Sequence, residues 1–468
     1  MKNLFKKTSL ALALAVAPAL ALADTAETKG GLKIKTDDGR FEMAIGGRIH
    51  YDGYVFEEDD GSAFGSTSLL SQGGFAFRRT YLTLTGKAYG WKYKFENDFA
   101  AMGGTAGAQT ITCTAVDVDA NNDGVVDAPA ANIGNVATTC TAASSSVSNV
   151  GSSGFRELWV STNLGPGEII LGQFKPFRGM EELTSSNEIT MIERPWTSAT
   201  GVYNGRQFLM GAGYKGNLAD SLLYSAHLMS LGAANTTTEG YSYGSRLAFY
   251  PMSGDGSTVH LGLSYSKDKE QNQGGTSASI SAAAPYAGRR GPSLSLGSVG
   301  NTTDAAQTTM AAEAAVAFGP MTLQAEYAQS ELENSIGTME SDVIAYYFQA
   351  SFFLTGETTT YKKDRGAFGK PKPLGEYGAW ELTARYDFAE NKDESAANNV
   401  CSISGGTATG GGNGGELKCE ATTITAGINW YVNPNVRFML NYYMGEADVG
   451  VGPADKPKAA TLRTQFSF

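Results

Sequence analysis

The chain has 468 residues, including 58 glycines, 22 tyrosines and 22 phenylalanines, and only 18% of it is charged. A formal net charge of −11 argues against a nucleic-acid partner, because phosphate backbones select a basic face. Beyond the N-terminus no run approaches the roughly 20 apolar residues of a spanning helix, and abundant Gly and aromatics in short alternating segments point to an all-β protein.

The N-terminus reads as an export signal. "MKNLFKK" is a basic start, "SLALALAVAPALAL" an apolar run, and Ala21-Leu22-Ala23 a small-x-small cleavage site before Asp24. Residues 1–23 are therefore expected to be a signal peptide and 24–468 the mature domain.

A long, bland stretch follows at 101–153, and it holds "CTAVDVDANNDGVVDAP" (113–129). In this segment Asp119, Asn121 and Asp123 occupy every second position, Gly124 permits a sharp turn, and Asp127 follows. That is the oxygen spacing of a calcium loop, although the twelfth position, where a bidentate Glu belongs, is Ala130. The reading is a possible Ca2+ ion in an external loop; the bland alternative is a solvated acidic tip. Cys113 and Cys140 flank the loop, and Cys401 and Cys419 lie in a second long stretch, 391–420. Their spacings match no zinc pattern, and export leads to an oxidising compartment. Four cysteines allow three pairings, of which sequence proximity favours Cys113–Cys140 and Cys401–Cys419.

The segment 178–206, "RGMEELTSSNEITMIERPWTSATGVYNGR", is too long and polar for a plain loop tip. It is expected to be a third loop folded inward. A further long stretch covers 267–306, whereas "NLGPGE" (163–168), "FGPM" (318–321) and "VNPN" after Tyr431 are tight turns. One connection, 355–377, is long where a short one is expected.

Towards the C-terminus the period is plain. In "GAWELTARYDFA" Trp380, Leu382, Ala384, Tyr386 and Phe388 alternate with Glu381, Thr383, Arg385 and Asp387, and "NVRFMLNYYMG" and "TLRTQFSF" repeat the pattern. Alternation over about ten residues, ending in aromatics, is the signature of a transmembrane β-strand. A soluble sandwich also alternates, but its strands are usually about five or six residues long. Strands assigned backwards from Phe468 number about sixteen, with short turns at one end and long loops at the other. The expected fold is an antiparallel transmembrane β-barrel in a bacterial outer membrane, bounded by lipid. Both cysteine pairs then fall in external loops.

An open barrel of this size encloses a water-filled channel. Its basic lining candidates are Arg48, Arg79, Lys92, Lys94, Lys175, Arg246, Arg385, Arg437 and Arg463. The acidic ones include Glu42, Asp52, Glu96, Asp98, Glu157, Glu313, Glu326, Glu381 and Asp387.

The stretches "FRRTYLTLTGKAYGWKYKFENDFA" (77–100), "LGQFKPFRGMEELTSSNEITMIERP" (171–195), "GAWELTARYDFAE" (378–390) and "AGINWYVNPNVRFMLNYY" (426–443) resemble the phosphate-selective porin O and P family. The resemblance implies a sixteen-stranded barrel, a homotrimer, and diffusion of small anions, phosphate or related oxyanions, past a ladder of basic residues. It also implies that Arg78, Arg79 and Tyr81 of "RRTY" and Lys175 of "GQFKPF" form the anion-binding constriction. Guanidinium forks and a phenol can replace an oxyanion's hydration shell. Strict alternation cannot turn both Arg78 and Arg79 inward, so a bulge is required, or one of them sits at the rim.

Two other functions compete with selective transport: a general, non-specific porin, and a plugged structural or adhesive barrel. An enzyme is not expected. The chain has three histidines, His50, His227 and His260, and no "GxSxG" nucleophile elbow.

Overall fold

The computed structural model describes residues 25–27, 32–57, 73–100, 110–115, 138–143, 153–198, 201–203, 208–231, 238–254, 256–272, 278–302, 304–334, 340–392, 401–403, 409–410, 419–449 and 454–468. The signal-peptide segment 1–23 and the calcium candidates Asp119, Asn121, Asp123 and Asp127 lie outside these residues.

Alternation along the strands is the inverse of that in a soluble protein. Leu382 is 45% exposed while Glu381 beside it is 2% exposed, and Leu440 is 47% exposed beside a fully buried Asn441. An apolar outer face and a polar inner face suit a wall with hydrocarbon outside.

Among the described residues, sixteen antiparallel strands form that wall: β1 (Phe41–Phe56), β2 (Gly74–Ala88), β3 (Trp91–Phe99), β4 (Ser153–Leu164), β5 (Gly167–Phe174), β6 (Leu209–Leu218), β7 (Leu222–Ser230), β8 (Thr238–Gly254), β9 (Ser257–Asn272), β10 (Asp304–Phe318), β11 (Met321–Asn334), β12 (Glu340–Phe353), β13 (Ala379–Asn391), β14 (Glu420–Tyr431), β15 (Val436–Asp448) and β16 (Lys458–Ser467). Each pairs with the next, and β16 closes on β1 from Ala459 opposite Phe56 to Ser467 opposite Arg48. Closure leaves no open edge, so every strand's backbone is paired within the wall. A short hairpin, Thr25–Glu27 with Leu32–Lys35, extends the sheet at the start of β1. Near the short-turn end Trp380, Trp430 and Phe438 stack across β13, β14 and β15 at 5.2 and 5.6 Å, as in an interfacial aromatic girdle.

The long stretches are somewhat shorter than the sequence suggested. β9 runs to Asn272 and β10 starts at Asp304, and the connection between them carries its own hairpin, Ala278–Pro285 with Ser293–Thr302. In the second loop Thr110–Ala115 pairs with Thr138–Ala143, setting Cys113 opposite Cys140 in register. Cys419 is disulfide-bonded, and no described cysteine is free.

The barrel is not an empty tube, which corrects the expectation that its whole inner face lines a channel. Ala311, Ala328, Ala345, Ala389, Ala421 and Ala447 stand directly opposite one another across six consecutive strands, β10 to β15, and all are buried. This inward-facing belt of methyl groups seats the 278–302 hairpin, whose Ile280, Leu294, Leu296 and Val299 pack there with Trp196 and Tyr203 of the third loop. A larger side chain in the belt would occupy the space the hairpin fills.

The 355–377 connection also folds inward. Tyr361 Oη lies 2.7 Å from His260 Nδ1, and Arg246 donates to the carbonyls of Arg365 (2.9 Å) and Gly366 (2.7 Å). Gly366 has φ +58°, and a Cβ there would approach Ala248 and Arg246 to 3.0 Å, so the seat requires glycine. A long turn held by wall side chains, rather than a misplaced register, accounts for the anomaly.

Candidate functional site

The site begins with a register slip in β2. Arg79 pairs with His50 and Phe77 with Tyr51, so Arg78 is an extra residue in a β-bulge. The bulge turns both arginines inward, each to 5% exposure.

Their partners separate them. Arg78 grips Glu193 of the third loop with a fork, Nε to Oε1 at 2.7 Å and Nη2 to Oε2 at 2.9 Å. Burial alone would raise the Glu193 carboxyl, but Arg78, Arg463 and Arg79 outweigh it and hold the group well below the usual carboxylate range. Arg79 makes no hydrogen bond or ion pair among the described residues, and its Nη1 is buried without a partner. A buried guanidinium left open is an anion site in waiting, because its desolvation is uncompensated until a ligand arrives.

Other arginines that alternation marked as pore lining hold the third loop instead. Arg437 donates to the Ile189 carbonyl (2.8 Å), Arg463 to that of Ile192 (2.6 Å) and Arg385 to that of Glu193 (2.9 Å). Arg463 also forks onto Asp52 at 2.7 and 2.6 Å, and Arg246 onto Glu313 at 2.8 and 2.7 Å. Arg178 at the loop's start reaches Asp268 at 2.5 Å. Arg385, Arg437 and Arg463 thus hold the loop against β13–β16, while Arg246 and Glu313 hold the 355–377 turn, and a cavity remains beside β2–β6. The structure thus places Arg246, Arg385, Arg437 and Arg463 in contacts with the inward segments and the wall, and Arg78 against Glu193.

This cavity has a volume of about 550 Å³, and its wall includes Arg48, Arg79, Tyr81, Lys92, Lys94 and Lys175. The structure thus brings together Arg79, Tyr81 and Lys175 and leaves Arg78 behind them. The Tyr81 ring carries the Arg48 guanidinium at 4.7 Å from its centroid. Lys175, first residue after β5, donates to the Glu182 carbonyl at 2.5 Å and lies 3.4 Å from the Glu182 carboxylate. Burial, aided by the Arg194 cation, pushes its ammonium down to about 7.

Most of the lining cations are neutralised locally. Arg48 pairs with Glu96 (2.9 Å), Lys94 with Glu157 (2.8 Å) and Lys92 with Glu168 (2.9 Å). Among the described residues Arg79 has no carboxylate partner, and Lys215 has only the Asp364 backbone carbonyl at 3.0 Å. Lys215 and Arg365, which line the cavity towards the short-turn end, were not picked out from the sequence. Lys215 does fall on the polar phase of β6, but Arg365 lies in the long turn, where alternation gives no phase. A larger concavity, about 940 Å³, lies on the outer wall among Leu247, Leu263 and Phe348 and is remote from these charges.

Among the described residues no helix is long and apolar enough to cross a membrane. Comparison with known proteins agrees with this arrangement. A family described as "Phosphate-selective porin O and P" matches residues 43–128 and 130–468. Porin O of Pseudomonas aeruginosa is 28% identical over 469 residues, covering 92% of this chain and 93% of its own. Among solved structures, an anion-selective porin from Comamonas acidovorans aligns with a TM-score of 0.51 at 14% identity, over 92% of this chain and 100% of that one. OmpT of Vibrio cholerae, in-vitro folded and in trimer form, aligns at 0.50 and 10% identity over 92% and 99%.

Proposed function

Because this chain belongs to the phosphate-selective porin O and P family of outer-membrane channels, we propose that it admits phosphate and related small oxyanions by binding them at Arg79, between Tyr81 and Lys175. One observation carries the reading: Arg79 is a buried, unpaired guanidinium facing a cavity whose other cations are mostly compensated. An anion at Arg79 gains a charge-assisted hydrogen bond and relieves a desolvated cation, while cations are repelled there. The matched relatives are channels, and no step of bond making is assigned to the chain.

The test is phosphate block of chloride current in a planar bilayer. Arg79→Ala should raise the half-blocking phosphate concentration about ten- to a hundredfold, the equivalent of about 1.5–3 kcal/mol. Unchanged block in Arg79→Ala rejects the site and leaves a general porin.

A trimer is supported by strand length as well as by the family. β3, β5, β6 and β7 have nine, eight, ten and nine residues, against 17 and 16 in β8 and β9. At about 3.3 Å per residue and a tilt of about 40°, eight residues rise only about 20 Å, less than the apolar band of about 25 Å. Neighbouring subunits would cover this low side. Calcium at Asp119, Asn121, Asp123 and Asp127 belongs to the same proposal, as a staple of the second external loop away from the conducting path. Calcium-dependent thermal stabilisation of the intact porin, lost in the double variant Asp119→Asn, Asp123→Asn, tests it.

A further inference from the structure

The cavity beside Arg79 is not a purely polar surface. Trp159, Leu183 and Phe208 are partly exposed on its wall, beside the buried Tyr81 ring. Phe208 lies 5.7 Å from Lys175 Nζ and 5.8 Å from the Arg156 guanidinium, measured from the ring centroid. Apolar wall of this kind does nothing for inorganic phosphate, whose four oxygens ask only for donors. It also withholds water from the neighbouring cations. Such a wall assists a ligand that has apolar surface of its own.

Charge sets the second condition. Arg48, Lys92 and Lys94 each face a carboxylate within 2.9 Å, and Lys175 sits against Glu182, so two lining cations are left without an ion pair among the described residues: Arg79, and Lys215 towards the short-turn end, which donates to the Asp364 carbonyl at 3.0 Å. A single open guanidinium beside an aromatic strip matches one carboxylate attached to a compact apolar body. A di- or trivalent anion would instead meet the carboxylates of Glu96 and Glu157 once its first charge was satisfied.

From this juxtaposition we infer that the channel takes hydrophobic organic monocarboxylates, aromatic ones above all, with the carboxylate on Arg79 and the body against Phe208 and Trp159. The inference rests on the anion site proposed at Arg79 and adds to it a substrate class and two residues that determine specificity. The carboxylate accepts the guanidinium hydrogen bonds in place of phosphate oxygens. The ring is sheltered on the same wall, where it meets Phe208 and Trp159 edges at low entropic cost. No covalent step is involved.

The test uses the full-length porin in planar bilayers and compares block of chloride current by benzoate, acetate and phosphate. Benzoate should block at a concentration about tenfold lower than acetate, because acetate lacks the ring that the wall shelters. Both Phe208→Ala and Trp159→Leu should bring the benzoate-to-acetate ratio towards one. The ratio is read within each variant, so it does not depend on how much protein folds. Equal block by benzoate and acetate in the unmodified porin overturns this inference, while phosphate block lost in Arg79→Ala leaves the anion site standing. A benzoate advantage that survives in both aromatic variants overturns the assignment of the wall. No block by phosphate or benzoate in the unmodified porin overturns the Arg79 reading and this inference together.

Discussion

Arg78 and Glu193 meet as two parallel hydrogen bonds, 2.7 and 2.9 Å long, between the second strand of the barrel and the tip of its inward loop. Beside them Arg79, the next residue, makes no hydrogen bond or ion pair among the described residues. One β-bulge thus turns adjacent arginines to opposite uses, one holding the loop that narrows the lumen and the other facing the space that remains. The same loop is held from the far side by Arg385, Arg437 and Arg463 through its backbone carbonyls, so its position does not rest on Arg78 alone.

Loss of this clasp should loosen the loop. Arg78→Ala leaves the largely buried Glu193 carboxylate with Arg463, at 3.4 Å, and the more weakly acting Arg79 to balance it. Breaking a buried pair costs up to about 3–5 kcal/mol, less here for the remaining arginine. Larger open-channel noise and a higher single-channel conductance are expected, with Arg78→Lys intermediate because it keeps the charge but not the fork. Identical noise and conductance in Arg78→Ala would reject the clasp.

Acid should not release it within the ordinary carboxylate range. The folded-state carboxyl of Glu193 is depressed, so its contribution is fully present above the unfolded value and is lost only as pH falls through the depressed one. Below the range in which Lys175 takes up its proton, conductance should therefore stay constant from about pH 6 down to about 4.5, where an unpaired glutamate would already be half protonated. A step in conductance near that pH, absent in Glu193→Gln, would contradict the assignment.

Lys175 has the opposite sensitivity. Burial, with Arg194 nearby, places its proton loss near 7, so the ammonium is charged below that pH and neutral above it. Chloride-over-potassium selectivity, read from the reversal potential in a salt gradient, should fall between pH 6 and pH 8. Lys175→Arg should keep the higher selectivity across this range, since a guanidinium does not deprotonate there, and Lys175→Gln should keep the lower one. A flat profile in the unmodified protein would show that Lys175 stays charged throughout.

The alanine belt makes a prediction about packing. Ala345 is fully buried where the 278–302 hairpin seats, and Ala345→Leu adds three carbon atoms with no space to hold them. Overpacking of this kind costs about 1–3 kcal/mol and should displace the hairpin rather than the wall, whose backbone ladder continues on both sides. Thermal unfolding should shift down while far-UV circular dichroism keeps its β signal. An unchanged transition in Ala345→Leu would show the belt is not a seat.

The wall was legible because a membrane strand reports each residue's side twice, through its own alternation and through that of its neighbour. Glu381, Arg385 and Asp387 face inward as their phase requires, and the turns at "NLGPGE", "FGPM" and "VNPN" fall between strands. The interior was less legible, because phase says only that a side chain points inward and not what it finds there. Arg385, Arg437 and Arg463 share the phase of Arg48 and Arg79, yet a loop more than 190 residues away in sequence reaches the first three and not the last. The alanine belt was written in six separate strands as unremarkable small residues, and only the register aligns them. The 355–377 turn was visible as an irregularity but had no period from which to read its path.

That turn gives the last prediction. It enters the lumen from the short-turn end, with Arg365 3.7 Å from Glu188 of the inward loop and Lys370 3.0 Å from Ser467 Oγ. Its Phe368 and Ala367 pack with Met180, so the turn and the third loop support one another below the Arg79 cavity. Replacing 356–377 with a two-residue turn should spare the barrel, because the β12–β13 ladder starts beyond it, at Phe353 opposite Glu381. The mouth would then widen while losing Arg365 and four lysines, Lys362, Lys363, Lys370 and Lys372, so conductance should rise and anion preference should fall together. A variant that folds, inserts and shows the original conductance would place the narrowest resistance wholly at the third loop. A rise in conductance with undiminished anion preference would assign the selectivity to Arg79 and its neighbours and leave the turn a steric role alone.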